Sequence, residues 1–260
     1  MRKFTILASL ALTTLAAATP AAAVTTTFAN FSALAGGANV RWVRSGNDAE
    51  FYTTTLNNST AAGARNVNFS FLQASIAPFV TNVTASWTMN GTVTNTVATM
   101  SGTTLNQTNL TGTFSFLTTQ DITIGANFFA AGSNLLSGTF SSAQLSGTRG
   151  GNSAGISGST PPTNSVTYTS DFLTFGNTND RNFAINLTSV NPVLQAAGGG
   201  TPFTPTSAVN SFRAVAGGSF SSDPAPVVTA VPEPGTWAMM IAGMGLVGFA
   251  RRRRQITIAA

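Results

Sequence analysis

Acid–base or metal chemistry needs side chains that titrate or ligate, and this sequence offers few. It has no histidine and no cysteine. That removes the commonest general base and transition-metal ligand. It also removes disulfides, thiolate nucleophiles and thiolate metal sites. Between Val24 and Ala230 the carboxylates are Asp48, Glu50, Asp121, Asp171, Asp180 and Asp223. Glycoside hydrolysis requires two of them at a defined separation, and no pair stands out by spacing. Two oxygen-rich stretches are the candidate metal sites. Asp48 and Glu50 follow Gly46-Asn47, where the carboxylates, Asn47 and backbone carbonyls suit a Ca²⁺ loop. Asn177, Asn179 and Asp180 form the other. Both lack EF-hand spacing, and the plainer reading of each is a solvated turn. The expectation is therefore a protein that is not an enzyme and needs no cofactor.

Threonine offers a different chemistry. Thr92, Thr94 and Thr96, and likewise Thr53 and Thr55, would each share one strand face. Regular threonine ladders order water, which is the basis of an ice-binding reading. Outward threonine is also ordinary on strands, where β-branched residues are favoured.

The charge distribution decides against nucleic acid. The net charge is +5, but Arg2 and Lys3 stand at the start and Arg251, Arg252, Arg253 and Arg254 near the end. Val24 to Ala230 holds six arginines against six acids and is neutral. No basic stripe is left to neutralise phosphates. Charged residues make up 7% of the chain, against about 25% in ordinary soluble domains. Thr, Ser, Asn, Gly and Ala replace them, a composition suited to a secreted β protein.

The two ends read as targeting segments. Met1-Arg2-Lys3 precedes an apolar run from Phe4 to Ala18, then Thr19-Pro20 and three alanines. This is the three-part pattern of a secretory signal peptide, with Ala21 and Ala23 at the −3 and −1 positions and cleavage expected after Ala23. At the other end, Val231-Pro232-Glu233-Pro234-Gly235-Thr236-Trp237 leads into an apolar run from Ala238 to Ala250, and then into the four arginines. The prolines hold Glu233 extended and outside any helix. Trp237 prefers the membrane–water interface. A helix from Trp237 to Ala250 would be roughly 21 Å long, short for a hydrocarbon core of roughly 30 Å, and snorkelling arginines reduce the mismatch. The arginines belong on the cytoplasmic side, which agrees with a body exported by the N-terminal signal.

Pro232-Glu233-Pro234, Trp237, the Ala-Met-Met-Ile-Ala-Gly-Met-Gly run and the arginine cluster resemble a PEP-CTERM sorting signal, of the PEPxxWA variety found in Gram-negative bacteria. Such a tail is also catalogued as an ice-binding protein C-terminal domain, although nothing in its chemistry binds ice. The resemblance implies that a membrane-embedded exosortase recognises Pro232-Glu233-Pro234, cuts at or near it, and passes the body to the cell surface or exopolysaccharide matrix. An ordinary single-span anchor, with Pro-Glu-Pro as a stiff linker, predicts the same topology without cleavage.

The body alternates with period 2, the signature of half-buried strands. Val67, Phe69 and Phe71 form one such set; Val83, Ala85, Trp87 and Met89 another; Phe114 with Phe116, Ile122 with Ile124, and Phe183, Ile185 and Leu187 complete the series. Turn signals lie at Ser45 to Asp48, Asn90-Gly91, Gly176 to Asp180 and Ala197 to Gly200. Many short strands with frequent turns predict an all-β, antiparallel β-sandwich or jelly-roll-like body, with a β-solenoid as alternative. An N-terminal signal helix and one C-terminal transmembrane helix flank it. Thr148 to Asn164 and Gln195 to Ser207 read as flexible loops. Phe69-Ser70-Phe71-Leu72, Asn134 to Gly138 and Val166 to Leu173 resemble the β-rich domains that often precede this tail, domains that imply a fold and no activity. The expected organisation is a signal peptide at 1–23, an exported β domain at 24–220, a linker at 221–230, the sorting signal at 231–254 and a cytoplasmic tail at 255–260. The expected role is a structural or adhesive protein of the surface or polysaccharide matrix, with the membrane, an exosortase and extracellular polysaccharide as partners. A carbohydrate- or ice-binding module is the alternative, and a secreted hydrolase a weaker one.

Overall fold

A computed structural model describes residues 25–34, 36–160, 165–229 and 241–246. The strands in chain order are β1 Thr26–Ala33, β2 Val40–Ser45, β3 Asp48–Thr53, β4 Arg65–Phe71, β5 Val83–Val93, β6 Thr99–Ser101, β7 Thr104–Thr118, β8 Ile122–Ile124, β9 Asn127–Phe129, β10 Asn134–Thr148, β11 Ala154–Ser159, β12 Ser165–Thr169, β13 Leu173–Thr174, β14 Asp180–Asn191, β15 Ala196–Gly199, β16 Thr204–Val209, β17 Phe212–Asp223 and β18 Val227–Val228. All described pairings are antiparallel. The all-β, antiparallel expectation is met.

The layout differs from an open two-sheet sandwich. Twelve strands form one sheet. Followed from partner to partner, β1, β4, β5, β7, β10, β11, β14 and β17 return to β1, so the ladder closes. Part of the wall is built in two tiers. β5 pairs β4 through Val83–Trp87 and β3 through Asn90–Val93. β17 pairs β1 through Gly218–Ser222 and β2 through Phe212–Ala214. Closure removes most of the unpaired edge that an open sheet would expose.

Bulges permit the curvature. Register shifts fall between Phe140 and Ala143 and between Thr188 and Asn191, and Asn109, Ser142 and Ser189 have positive φ. Each bulge bends its strand and increases the local twist. Asn90-Gly91 is not the turn its sequence suggests. It lies within β5, where Gly91 faces Gly112 across the β5–β7 ladder. A Cβ on Gly112 would come within 1.9 Å of the Asn90 carbonyl oxygen, and one on Gly91 within 2.9 Å of Leu110. The glycines allow two strands to approach closely.

The interior is filled with aromatic side chains. Phe116 is fully buried. Its ring lies 5.0 Å from Phe31, 5.1 Å from Phe69, 5.6 Å from Phe220 and 6.0 Å from Trp87, nearly parallel to the last. Phe114, Phe140, Tyr168 and Phe183 extend the cluster. Burial pushes the Tyr168 hydroxyl well above the usual phenol range, against the opposing field of Arg181. The neutral hydroxyl donates to the Asn182 carbonyl at 2.5 Å. Outward positions carry mostly Ser, Thr and Asn, the reverse of an outer-membrane barrel, whose apolar band faces lipid.

One buried polar residue mends a gap in the wall. Between the β1 and β2 tiers, Ala216 of β17 lacks a strand partner on that side. The Asn39 side chain fills the place: its Oδ1 accepts from Ala216 N–H at 2.8 Å and its Nδ2 donates to Ala216 O at 3.4 Å. Asn39→Leu strands both backbone groups in the interior and is expected to cost about 1–3 kcal/mol, read as a lower urea midpoint.

The glycine-rich stretches read as loops contain strands. β11 and β12 lie within Thr148 to Asn164 and just beyond it, and β15 and β16 within and beyond Gln195 to Ser207. Glycine serves packing here: a Cβ on Gly158 would come within 2.5 Å of the Phe183 ring. The segment expected to be a linker, 221–230, is tied to the domain over its described part. β17 runs to Asp223, β18 pairs β13, and Gln73 Nε2 donates to Pro226 O at 2.5 Å.

Candidate functional site

The two candidate metal loops turn oxygens to structural use. Gly46, with φ +68°, and Asn47 make the two-residue turn between β2 and β3. Asp48 Oδ1 accepts from Asn95 N–H at 2.7 Å, and the Asn47 carbonyl accepts from Thr96 N–H at 3.0 Å. Both bonds pin the segment after β5. Glu50 is exposed on β3 and stands opposite Thr92.

In the second loop the positive charge is supplied from within. Arg181 Nε donates to Thr178 Oγ1 at 2.8 Å, and one terminal nitrogen donates to Phe175 O and Thr178 O, both at 3.1 Å. The guanidinium thus occupies carbonyls a cation would have used. Asn179 N–H donates to Asp223 O, and Asp180 pairs with Asp223 across β14 and β17. Among the described residues no group of three or more acidic side chains converges to hold a metal ion. Arg181→Met is expected to lower the melting temperature, because three acceptors lose their donor, at a cost of about 1–3 kcal/mol. Added Ca²⁺ should leave that loss unrestored in a thermal-melting titration.

The expected threonine ladders do not form as read. Thr53 points inward and accepts from Met89 N–H at 3.2 Å. Thr94 and Thr96 lie past the end of β5, where the Thr96 hydroxyl donates to Thr94 O. Hydroxyls do line up, but across strands. From Arg213 on β17 the partners run to Arg41 on β2, Tyr52 on β3, Asn90 on β5, Thr113 on β7, Thr139 on β10 and Thr167 on β12. Partners directly opposite share a face, and here it is the outer one. Six strand spacings make this row roughly 29 Å long measured along the wall, and it curves with the closed ladder. A second row, Thr88, Ser115, Ser137 and Thr169, runs beside it.

The row is partly pre-ordered. The Thr139 and Thr167 hydroxyls are 2.8 Å apart, and Ser137 Oγ donates to Ser115 Oγ at 2.9 Å. Tyr52 donates its hydroxyl to Thr60 O at 3.2 Å. Beside it a recess of about 320 Å³ is lined by Glu50, Tyr52, Thr60, Asn90 and Thr92 among others. Sequence reasoning missed Arg41, Tyr52, Arg213, Thr113, Thr139 and Thr167 as a set. Outward phase within each strand was the available signal, but cross-strand register is not written in any one segment.

The targeting residues fall mostly outside this picture. Ala21, Ala23, Pro232, Glu233, Pro234, Trp237 and Arg251 to Arg254 lie outside the described residues. Within the expected transmembrane run, 241–246 is helical, with Ile241, Met244 and Leu246 about 70% exposed. Among the described residues no helix is long and apolar enough to cross a membrane. The rest of that run lies outside the described residues.

Residues 230–254 match the family model of the PEP-CTERM protein-sorting motif. The chain carries a PEP-CTERM sorting motif. The matched span takes in the Pro-Glu-Pro, the tryptophan, the apolar run and the arginines. A PEP-CTERM motif implies export and recognition by an exosortase at the membrane, and supports an exosortase-targeted exported protein. Neither a curated protein nor a solved structure matches the chain. What the β body does therefore rests on its own surface.

Proposed function

We propose that the β body is a structural, adhesive component of the extracellular polysaccharide matrix, delivered there by its PEP-CTERM tail. In this reading the signal peptide is removed after Ala23, and the tail spans the membrane long enough to be processed. Pro232-Glu233-Pro234 is the element the exosortase reads, Trp237 sits at the interface, and Arg251 to Arg254 stay on the cytoplasmic side. The observation that supports the role of the body is the outer row from Arg213 to Thr167, a stripe of hydroxyl, amide and guanidinium groups. A hydrated polysaccharide offers complementary donors and acceptors along its length. A closed barrel holds the stripe in place, so little conformational entropy is lost on binding.

The test is co-sedimentation of the mature protein, recovered from its own cells, with the extracellular polysaccharide of those cells. Retention that falls when Thr113, Thr139 and Thr167 are replaced together by valine supports the reading. Valine keeps the β-branched shape and removes the hydroxyl. Full recovery of the wild-type protein in the supernatant contradicts it.

A further inference from the structure

The six arginines of the body are not spent alike. Arg65 donates to Thr55 O and Asn57, Arg149 lies over the Phe203 ring at 3.7 Å, and Arg181 closes its loop. The other three, Arg41, Arg44 and Arg213, gather on the paired strands β2 and β17. Arg41 and Arg213 stand directly opposite one another. Like charges in that position destabilise a sheet. The Nε of Arg41 is buried and has no hydrogen-bond partner among the described residues, and a buried donor without an acceptor is costly. Beside the pair is a recess of about 370 Å³, lined by Arg41, Asn191, Pro192, Ser211, Phe212 and Arg213.

The acids do not answer this charge. Asp48, Asp121 and Asp171 each accept a backbone N–H in a turn, from Asn95, Ala131 and Asn134. Asp180 and Asp223 stand opposite each other in the β14–β17 register, at the far end of β17 from Arg213. Glu50 is the acid on the same face, diagonal to Arg41, and it leaves the patch positive. Two guanidiniums and a hydroxyl in a recess form a site for a planar anion, because guanidinium donors match carboxylate geometry. The pair also begins the row described above and is followed by Tyr52 and Asn90.

We propose that Arg41 and Arg213 form an anion subsite that takes the carboxylate of an acidic sugar unit, so that the polysaccharide bound along the outer row is a uronate-bearing one. This rests on the matrix-binding reading, which supplies the polymer. In the subsite the ligand's carboxylate lies between the two facing guanidiniums and offsets both charges.

The experiment uses the full chain, carrying Arg41→Gln, Arg213→Gln or neither, and three immobilised probes: polygalacturonate, the same polymer with its carboxyl groups reduced to alcohols, and dextran. The wild-type protein should bind polygalacturonate at least about tenfold more tightly than the reduced polymer, with an affinity that falls as salt rises. Each glutamine variant should lose that preference and bind polygalacturonate no more tightly than the reduced polymer. The melting temperature of the variants should hold or rise, since a like-charge pair has been removed. Equal binding of polygalacturonate by wild type and variants overturns the subsite while leaving the matrix-binding reading intact. Absence of binding to all three polymers overturns the subsite, and co-sedimentation with the native polysaccharide then decides the matrix-binding reading.

Discussion

Replacing Pro232 and Pro234 with alanine is expected to leave the tail on the protein, with processing nearly abolished. Each proline fixes φ, removes a backbone donor and biases the preceding residue to extended geometry. The pair is expected to keep Glu233 extended and outside any helix the apolar run forms. Alanine is the best helix former, and each Pro→Ala change in a helix is worth about 3 kcal/mol. Both changes lift the block on extending a helix back over Glu233, which would hide an extended recognition element inside a helical one. Glu233→Gln separates shape from charge. It keeps the prolines and removes the carboxylate, so processing lost in this variant as well would mean that the exosortase reads the charge. Immunodetection of a tag placed after Ala260 follows the tail in each case. Unchanged processing of the double alanine variant would rule out Pro-Glu-Pro as the element recognised.

Phe116→Ala is expected to destabilise the barrel by about 3–5 kcal/mol. Phe116 is the point where opposite walls meet. It comes from β7 and touches Phe31 of β1, Phe69 of β4, Trp87 of β5 and Phe220 of β17. All of these rings are buried, and none can follow into the space without moving its own strand in a closed ladder. Whole-protein stability is of order 5–15 kcal/mol, so the loss is a large fraction of the total. Phe116→Leu should cost far less, because most of the volume remains. Chemical denaturation of the two variants checks the difference; equal midpoints would mean that the interior is loosely filled.

The strands that were legible are those whose alternation runs unbroken. Val83 to Met89 and Phe183 to Leu187 are buried at every second residue and read as strands at once. Period 2 fails where a bulge shifts the phase. In β7 the buried residues run Leu105, Gln107, then Leu110, and the slip falls at Asn109. In β10 they run Phe140, then Ala143 and Leu145, with the slip at Ser142; Ser189 does the same in β14. Those slips bend the strands and let the sheet close, so the feature that separates a barrel from a sandwich is the one that blurs the pattern. The glycine-rich strands were hidden for another reason. At Gly112 and Gly158 the small residue answers a ring or backbone on another strand, information absent from the local sequence.

The candidate surface divides the same way. The tail motif is linear, so Pro232, Glu233, Pro234 and Trp237 announce themselves by spacing alone. The Arg41–Arg213 pair is separated by most of the body and is joined only by the β2–β17 register. The acids near turns were ambiguous because an acid in a turn suits a metal and a backbone N–H equally well. At Asp48 the N–H of Asn95 takes the place, and at the 175–180 loop Arg181 does.

The most direct test of the sorting account is the intact mass of the protein recovered from the native cell surface and medium. The account predicts a single processed form that lacks residues 1–23 and everything beyond the Pro-Glu-Pro region. A mass that still includes Trp237 through Ala260 would contradict it, making the tail a permanent anchor and placing the body at the membrane.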